Sequence, residues 1–564
     1  MPGWVGIRVF MLAVDCTARF FGVVVSFYGA ASYFCSCSCS CSYSYLYSLF
    51  ERSRTILTWR KELPVTGWPR LPPEVRSQIL RSIVYERHSL TRYALVCREW
   101  QRFIEAHKFS HVRIHDRQLR GLERRMVDRQ RRLVRHIWLN IELREYTCWE
   151  CDRPETEWEQ EANGRIIGLA VERVFAILSG WRATGRGLTL EISVQSPSDT
   201  LHWFPAWFFG GRADVPRGIC IPPCVLREQR PKPGGWGWYW FPDYGAVSRI
   251  WDQRSPLRLR QALPTVAAVT RLVMRRQSRR RFAATTLGLM LQNLPALEDL
   301  VYEPWRAWNT IDQAEFDHEY GLLMDGRCLP TSIRHISIFE DYNEFCMKQL
   351  VRSTRGASIR AQRRGRRPDT LLAIAVADAT RRLERLEHLS VSFMIDALHF
   401  CTVAQPSWRW PELTTLALTS TMLHEATDTQ HIWLLLRGAA ATALRMPKLE
   451  TMTLWNAQHG QACSFTYSRR ARKLVWRAGW RLRVDLAKLL AAWNEAYALS
   501  GELEFEHHAI EAARTETHAQ GMQRLRMPLG GVVDAVSWWQ MATELEMDVD
   551  GVPARGRVGS SSGQ

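Results

Sequence analysis

LEDLVY, residues 297–302, places apolar side chains at its first, fourth and sixth positions, and the same spacing returns as IRHISI from Ile333, LEHLSV from Leu386, LTTLAL from Leu413 and LETMTL from Leu449. VTRLVM from Val269 is an earlier copy. Successive side chains of an extended chain point to opposite faces, so the alternation at the end of each copy sends two apolar groups to one buried face of a strand. Leu294-Pro295, Leu329-Pro330, Trp410-Pro411 and Met446-Pro447 stand just ahead of four of these copies. Proline suits a loop entering a strand, because it fixes φ and has no N–H to give to a ladder.

A repeated LxxLxL resembles the strand segment of leucine-rich repeats, in which each repeat adds one parallel strand and neighbours share a core. Successive starts from Leu297 lie 36, 53, 27 and 36 residues apart, whereas regular members of that class run about 20–29. The expected fold is therefore mainly α/β: an irregular, leucine-rich-repeat-like solenoid over residues 115–546, with helices such as IWLLLRGAAATALRM between strands. A single α/β sheet whose strands merely share alternation is the alternative.

The 564 residues exceed one compact core and suggest about three units, one of them small. Apolar and charged fractions of 46% and 23% are those of a globular chain, and the 25 tryptophans point to cores and interfaces. Residues 1–60 read as a low-complexity leader with no folded role. Its apolar run from Phe20 to Phe34 falls short of the roughly 18 residues a bilayer span needs. Export is the other reading, with Arg8 as the charged start of a signal peptide, but Asp15 and Arg19 interrupt the apolar core. The tail at 547–564 is Gly/Ser-rich and is expected to be disordered. The 14 cysteines, four of them in the run Cys35, Cys37, Cys39 and Cys41, form no secreted framework, so the expected compartment is the cytoplasm or nucleus.

KELPVTGWPR, with Pro64, Gly67 and Pro69, marks a boundary, and a helical module follows over residues 66–114. Leu71, Pro72, Pro73 and Glu74 open a helix: proline is tolerated in the first turn, and a carboxylate there suits the dipole. Val75, Ile79, Leu80 and Ile83 form one stripe, leaving Arg76, Gln78 and Arg81 toward water. Ser89 can cap a second helix carrying Leu90, Tyr93, Ala94 and Leu95, and Trp100, Phe103 and Ile104 continue the pattern in a third. So small a unit buries little surface, and exposed apolar positions on it call for a partner. Next comes a basic amphipathic stretch in which Leu119, Leu122, Met126 and Leu133 share one helical face before a strand begins at Ile137.

The stretch from Leu71 to Ile114, with its LP start and LVCREW at Leu95–Trp100, resembles an F-box. The phrases HIWLNIELREYTCWEC, SVQSPSDTLHWF, VMRRQSRRRF, LEDLVYEPWRAW and SIFEDYNEF are similar to those of a large set of fungal F-box proteins. That resemblance implies a three-helix module that binds a Skp-type adaptor and through it a cullin and a RING subunit, while the remainder holds a protein substrate. It places Leu71, Pro72, Val75, Ile79, Leu80, Leu95, Val96 and Trp100 at partner-binding positions. Where the family has an acidic residue before the second helix, this chain has His88 and Ser89. The function so implied is that of a non-catalytic ubiquitin-ligase adaptor.

A formal charge of +18 would by itself attract nucleic acid. The arginines form short runs: Arg275, Arg276, Arg279, Arg280 and Arg281; Arg363, Arg364, Arg366 and Arg367; and Arg469, Arg470 and Arg472 with Lys473. They are expected to be solvated loop charge, with a basic nucleic-acid-binding protein as the alternative function. No membrane partner is expected. Cys148 with Cys151 and Cys220 with Cys224 allow a four-thiolate zinc site in principle, but free structural cysteines are the first reading and no metal or cofactor is expected. Phosphate-loop, dinucleotide and HExxH patterns are missing from the sequence, and no catalytic residue is assigned.

Overall fold

The computed structural model describes residues 68, 71–85, 90–183, 185–202, 244–251, 254–255, 257–307, 310–342, 370–497, 503–515, 517–527 and 529–544. The leader, the tail, Ser89, the basic run at 363–367 and the Cys220/Cys224 pair lie outside them. The chain divides into two compact units, Met1–Ser110 and His111–Gln564. The expected module end at residue 114 thus falls within a strand, because His111–His115 pairs with His136–Asn140.

In the first unit α1 (Pro73–Tyr85) carries Glu74 in its first turn. Instead of a second helix the chain makes a single 3-10 turn at Tyr93–Leu95, and then α2 (Arg98–Ser110) buries Trp100 and Ile104 on one face. Leu80, Ile83, Tyr93, Trp100 and Ile104 form the core, with Trp68, Ile79, Leu90, Ala94 and Phe103 packed against it.

The second unit begins with β1 (His111–His115) and two short helices, α3 (Leu119–Arg125) and α4 (Asp128–Arg131), before β2 (His136–Glu142). The single amphipathic face expected here is broken at Met126, where the backbone turns extended. Leu119, Leu122 and Met126 are buried, and Val134 takes the core place expected of Leu133. There follow α5 (Glu157–Ser179), β3 (Leu188–Gln195), α6 (Pro197–Leu201), α7 (Tyr244–Trp251), β4 (Arg254–Ser255), β5 (Val269–Met274) and β6 (Arg281–Phe282). From α8 (Ala284–Gln292) the chain alternates regularly: β7 (Asp299–Tyr302), α9 (Thr310–Asp325), β8 (His335–Phe339), α10 (Thr370–Arg381), β9 (His388–Ser392), α11 (Ala397–Val403), β10 (Thr415–Thr419), α12 (Thr429–Ala443) and β11 (Thr451–Gln458). It finishes with β12 (Gln461–Ser468), β13 (Lys473–Ala478), α13 (Leu486–Tyr497), β14 (Glu504–Ala509), α14 (His518–Leu525), α15 (Leu529–Val532) and α16 (Ala535–Glu544).

Among the described residues one sheet holds twelve strands in chain order, with the β4–β6 pair apart from it. Pairing is parallel from β1 to β11, antiparallel at β11–β12 and β12–β13, and parallel again at β13–β14. The LxxLxL copies occupy equivalent places. The first apolar residue of each closes a turn, its N–H donating to the carbonyl three residues back: Leu297 to Leu294, Ile333 to Pro330, Leu386 to Leu383, Leu413 to Trp410 and Leu449 to Met446. The next residue starts the ladder, Glu298 donating to Thr270, Arg334 to Glu298, Glu387 to Arg334, Thr414 to Glu387 and Glu450 to Thr414. The later apolar positions, such as Leu389 with Val391 and Leu416 with Leu418, are buried on the helix side. There α8 to α12 pack each against the next.

The opposite face is lined across β8–β11 by a row in register, Ser337, Ser390, Ala417 and Thr453. Those small side chains make room for a second layer. Phe339, Ala417, Trp455 and Ala457 share a core with Met522, Leu525, Val532 and Met541 of the C-terminal helices. Ser337 Oγ donates to the Val532 carbonyl (3.2 Å) and His388 Nε2 lies 2.7 Å from that of Gly531. Among the described residues no helix is long and apolar enough to cross a membrane.

The first arginine run corrects the expectation of solvated charge. Arg275, Arg276, Arg279, Arg280 and Arg281 are all buried, Arg276 and Arg281 at 2% exposure. The run links β5 to β6 past the carboxyl ends of neighbouring strands, where carboxylates wait for it. The run at 469–473 behaves differently, forming the β12–β13 connection with Arg470 and Arg472 exposed.

Candidate functional site

Two places gather chemistry: the surface of the small helical module and the carboxyl edge of the parallel sheet. On the module, Leu95 is 83%, Val96 47% and Val75 38% exposed. Leu95 and Val96 stand out because the Tyr93–Leu95 turn directs Tyr93 inward and leaves its neighbours in solvent. Leu71, Pro72 and Ile79 are half-buried. Leu80 and Trp100 are not on the surface: both are in the module's own core, Trp100 at 3% exposure, packed edge-on against Trp68 with ring centroids 5.0 Å apart. Both were expected at partner-binding positions; here they help to hold the helices together. Arg76 is likewise not simply solvated. It and the Trp68 indole both donate to Glu99, at 2.8 and 2.7 Å, tying α1 to α2. Trp68 escaped the sequence reading, although its place beside Pro69 at a helix entrance was a signal for it.

At the sheet edge four arginines of the buried run reach carboxylates, while Arg279 donates to the Gln277 carbonyl (3.2 Å). Arg275 bonds Glu191 of β3 through Nε (2.7 Å), and Arg276 pairs with Asp341 just beyond β8 and donates to Gln540 of α16 (2.7 Å). Arg280 bonds Asp199 of α6 and Glu155 (3.2 and 3.3 Å). Arg281 bonds Glu340 (2.9 Å), which Arg306 also holds (3.1 Å). Burial alone would raise the Asp341 carboxyl, but Arg276 and nearby His518 hold it well below the usual carboxylate range. Glu303, just past β7, is pushed up to about 7 by burial and by Asp534. It accepts from Ser537 Oγ and the backbone N–H groups of Arg276 (3.1 Å) and Asp534 (2.7 Å). This edge welds loops and the C-terminal helix together. Arg275, Arg276, Arg280, Arg281 and Arg306 have carboxylate partners within the chain.

Cys148 and Cys151 lie on one turn, with Cys148 Sγ 3.4 Å from His202 Nδ1. Among the described residues no group of three or more metal-ligating side chains comes together. Compared with known families, residues 68–112 match the F-box-like family, and residues 328–534 match a family of unknown function, DUF6546. No curated protein matches the chain. The first match begins at Trp68 and covers α1, the turn and α2; the second runs from the loop before β8 through α15. The chain thus carries an F-box-like module followed by a mixed α/β domain that includes a DUF6546 region.

Proposed function

We propose that the protein is the substrate-recognition subunit of an SCF-type cullin–RING ubiquitin ligase, non-catalytic in itself and working in the cytoplasm or nucleus. The exposed Leu95–Val96 pair carries this reading. Two large apolar side chains held in water on a 3-10 turn gain about 1.5–3 kcal/mol each when a partner buries them, and in an F-box-like module the partner is a Skp-type adaptor. Val75, Leu71, Pro72 and Ile79 extend that surface. The domain from His111 onward is read as a leucine-rich-repeat-like array, an interpretation supported by strands that follow chain order and by the equivalent turns opening β7 to β11. Its partner is a protein substrate of unassigned identity. The competing nucleic-acid reading loses support because four arginines of the buried run are neutralised internally.

The test is co-purification of the full chain with the Skp-type adaptor. Leu95→Asp with Val96→Asp should cut binding by at least about a hundredfold, the equivalent of two buried apolar contacts, while the thermal melt of the whole chain stays unchanged. Trp100→Ala should reduce binding only together with the helicity of the module, because it acts through the core. A wild-type chain that fails to capture the adaptor where another F-box protein succeeds would end the ligase reading.

A further inference from the structure

Cys148, Cys151 and His202 form a cluster that neither the adaptor function nor the charged edge uses. The Thr147 N–H and hydroxyl both donate to Glu150 Oε2, each at 2.8 Å, and the Glu150 N–H closes onto the Thr147 carbonyl at 3.0 Å. The turn so fixed folds Cys151 back until its S–H donates to the Cys148 carbonyl, 3.3 Å away. Facing it, the His202 ring stacks on Tyr146 with centroids 5.3 Å apart and planes 25° apart. Its Nε2 lies 3.2 Å from the Tyr146 carbonyl. A carbonyl oxygen can only accept, so Nε2 carries the hydrogen and Nδ1 the lone pair. That lone pair lies 3.4 Å from Cys148 Sγ. The imidazole is buried and its tautomer fixed by the backbone, while Cys148 is only half-buried. The base thus sits behind the sulfur and solvent in front of it.

We propose that Cys148 is a nucleophilic thiol with His202 as its base and Cys151 as its resolving partner, and that its co-reactant is a small disulfide of the glutathione class. As the Cys148 sulfur attacks one sulfur of that disulfide, its proton passes to His202 Nδ1. The small S–S bond breaks, and the departing thiolate takes up that proton. Cys151 then gives its proton to His202 and attacks the Cys148 sulfur, so the mixed S–S bond breaks and a second small thiol leaves with the proton. Two protein thiols lose two electrons and form one disulfide, and the small disulfide is reduced to two thiols. Residues three apart on a turn have Cα atoms within about 7 Å, close enough for a bond that spans about 4.4–6.8 Å.

The experiment treats the full chain with oxidised glutathione and maps its peptides by mass spectrometry, with Cys97, exposed on the helical module, as an internal reference. The wild type should gain a Cys148–Cys151 bond that dithiothreitol reverses. Cys151→Ser should stop at glutathione on Cys148. In alkylation with iodoacetamide, Cys148 should outpace Cys97 by about tenfold or more, and His202→Phe, which keeps the ring stacked on Tyr146, should remove that advantage. Wild-type Cys148 reacting no faster than Cys97 would overturn the proposal without recourse to any variant. Glutathione settling first on Cys151, or Cys148 pairing with a cysteine other than Cys151, would do the same.

Discussion

Arg281 lies inside the fold between Glu340 and Gln313, with its guanidinium over the Phe316 ring at 4.5 Å. Removing Arg281 takes from the buried Glu340 its one fully buried cation and leaves only the partly exposed Arg306 beside it. Arg281→Gln should therefore cost about 3–5 kcal/mol in a denaturant titration, while Arg470→Gln on the exposed β12–β13 connection should stay within about 0.5 kcal/mol. Glu303 and Asp341 give the same edge opposite responses to pH. The folded-state pKa of Glu303 is raised from 4.5 to about 7, so the native state binds the extra proton and stability falls as pH climbs through that window. Asp341 is depressed from 3.8. Its contribution is present above that value and is lost as pH falls toward the folded pKa. In thermal melts across about pH 2 to 8, Glu303→Gln should flatten the decline between about 4.5 and 7 and leave the acid limb below about 3.8, which belongs to Asp341, in place.

Among the elements, the strands were legible in the sequence because the pleat imposes a period of two and each copy begins with a buried residue closing a turn. Leu297, Ile333, Leu386, Leu413 and Leu449 all do this. The layer opposite the helices was not foreseen. Its only sequence trace is the small residue between the last two apolar positions of four copies, Ser337, Ser390, Ala417 and Thr453, a hint that something must approach closely. The buried arginine run was unreadable for a related reason: the partners of Arg275 and Arg281 lie 84 residues before and 59 after, and local composition carries no record of them. In the module, the Leu95–Val96 surface followed from the motif, but helical periodicity could not separate Trp100 in the core from Leu95 in solvent across a break in the helix. The close fit of the second layer can be measured. A Cβ on Gly521 of α14 would come within 2.5 Å of that of Ala457, whereas one on Gly121 of α3 would meet nothing within 4 Å. Gly521→Ala should destabilise by about 1–3 kcal/mol through overpacking. Gly121→Ala should stabilise by about 0.5–1 kcal/mol through helix propensity. Paired urea titrations of the two variants check both signs.

At the scale of the whole molecule, the sheet grows from neighbour to neighbour, yet its polar edge is finished by residues far along the chain. Ser537 reaches Glu303 across 234 residues and Gln540 reaches Arg276 across 264. A chain cut after residue 527 would lose α15 and α16, with the bonds from Asp534 and Ser537 to Glu303 and from Gln540 to Arg276. It should melt at a lower temperature and bind a hydrophobic dye at the uncovered face. The same arrangement sets a timetable for synthesis. Ribosomes add about 5–20 residues per second, so Arg276 emerges some ten seconds to a minute before Gln540 does. Throughout that interval the nascent sheet can add strands in order while one of its faces stays bare and a buried-to-be glutamate waits without its serine. Molecular chaperones would meet this protein as a nearly complete sheet without its lining, and premature termination close to the end would release a product that looks almost whole and behaves as misfolded.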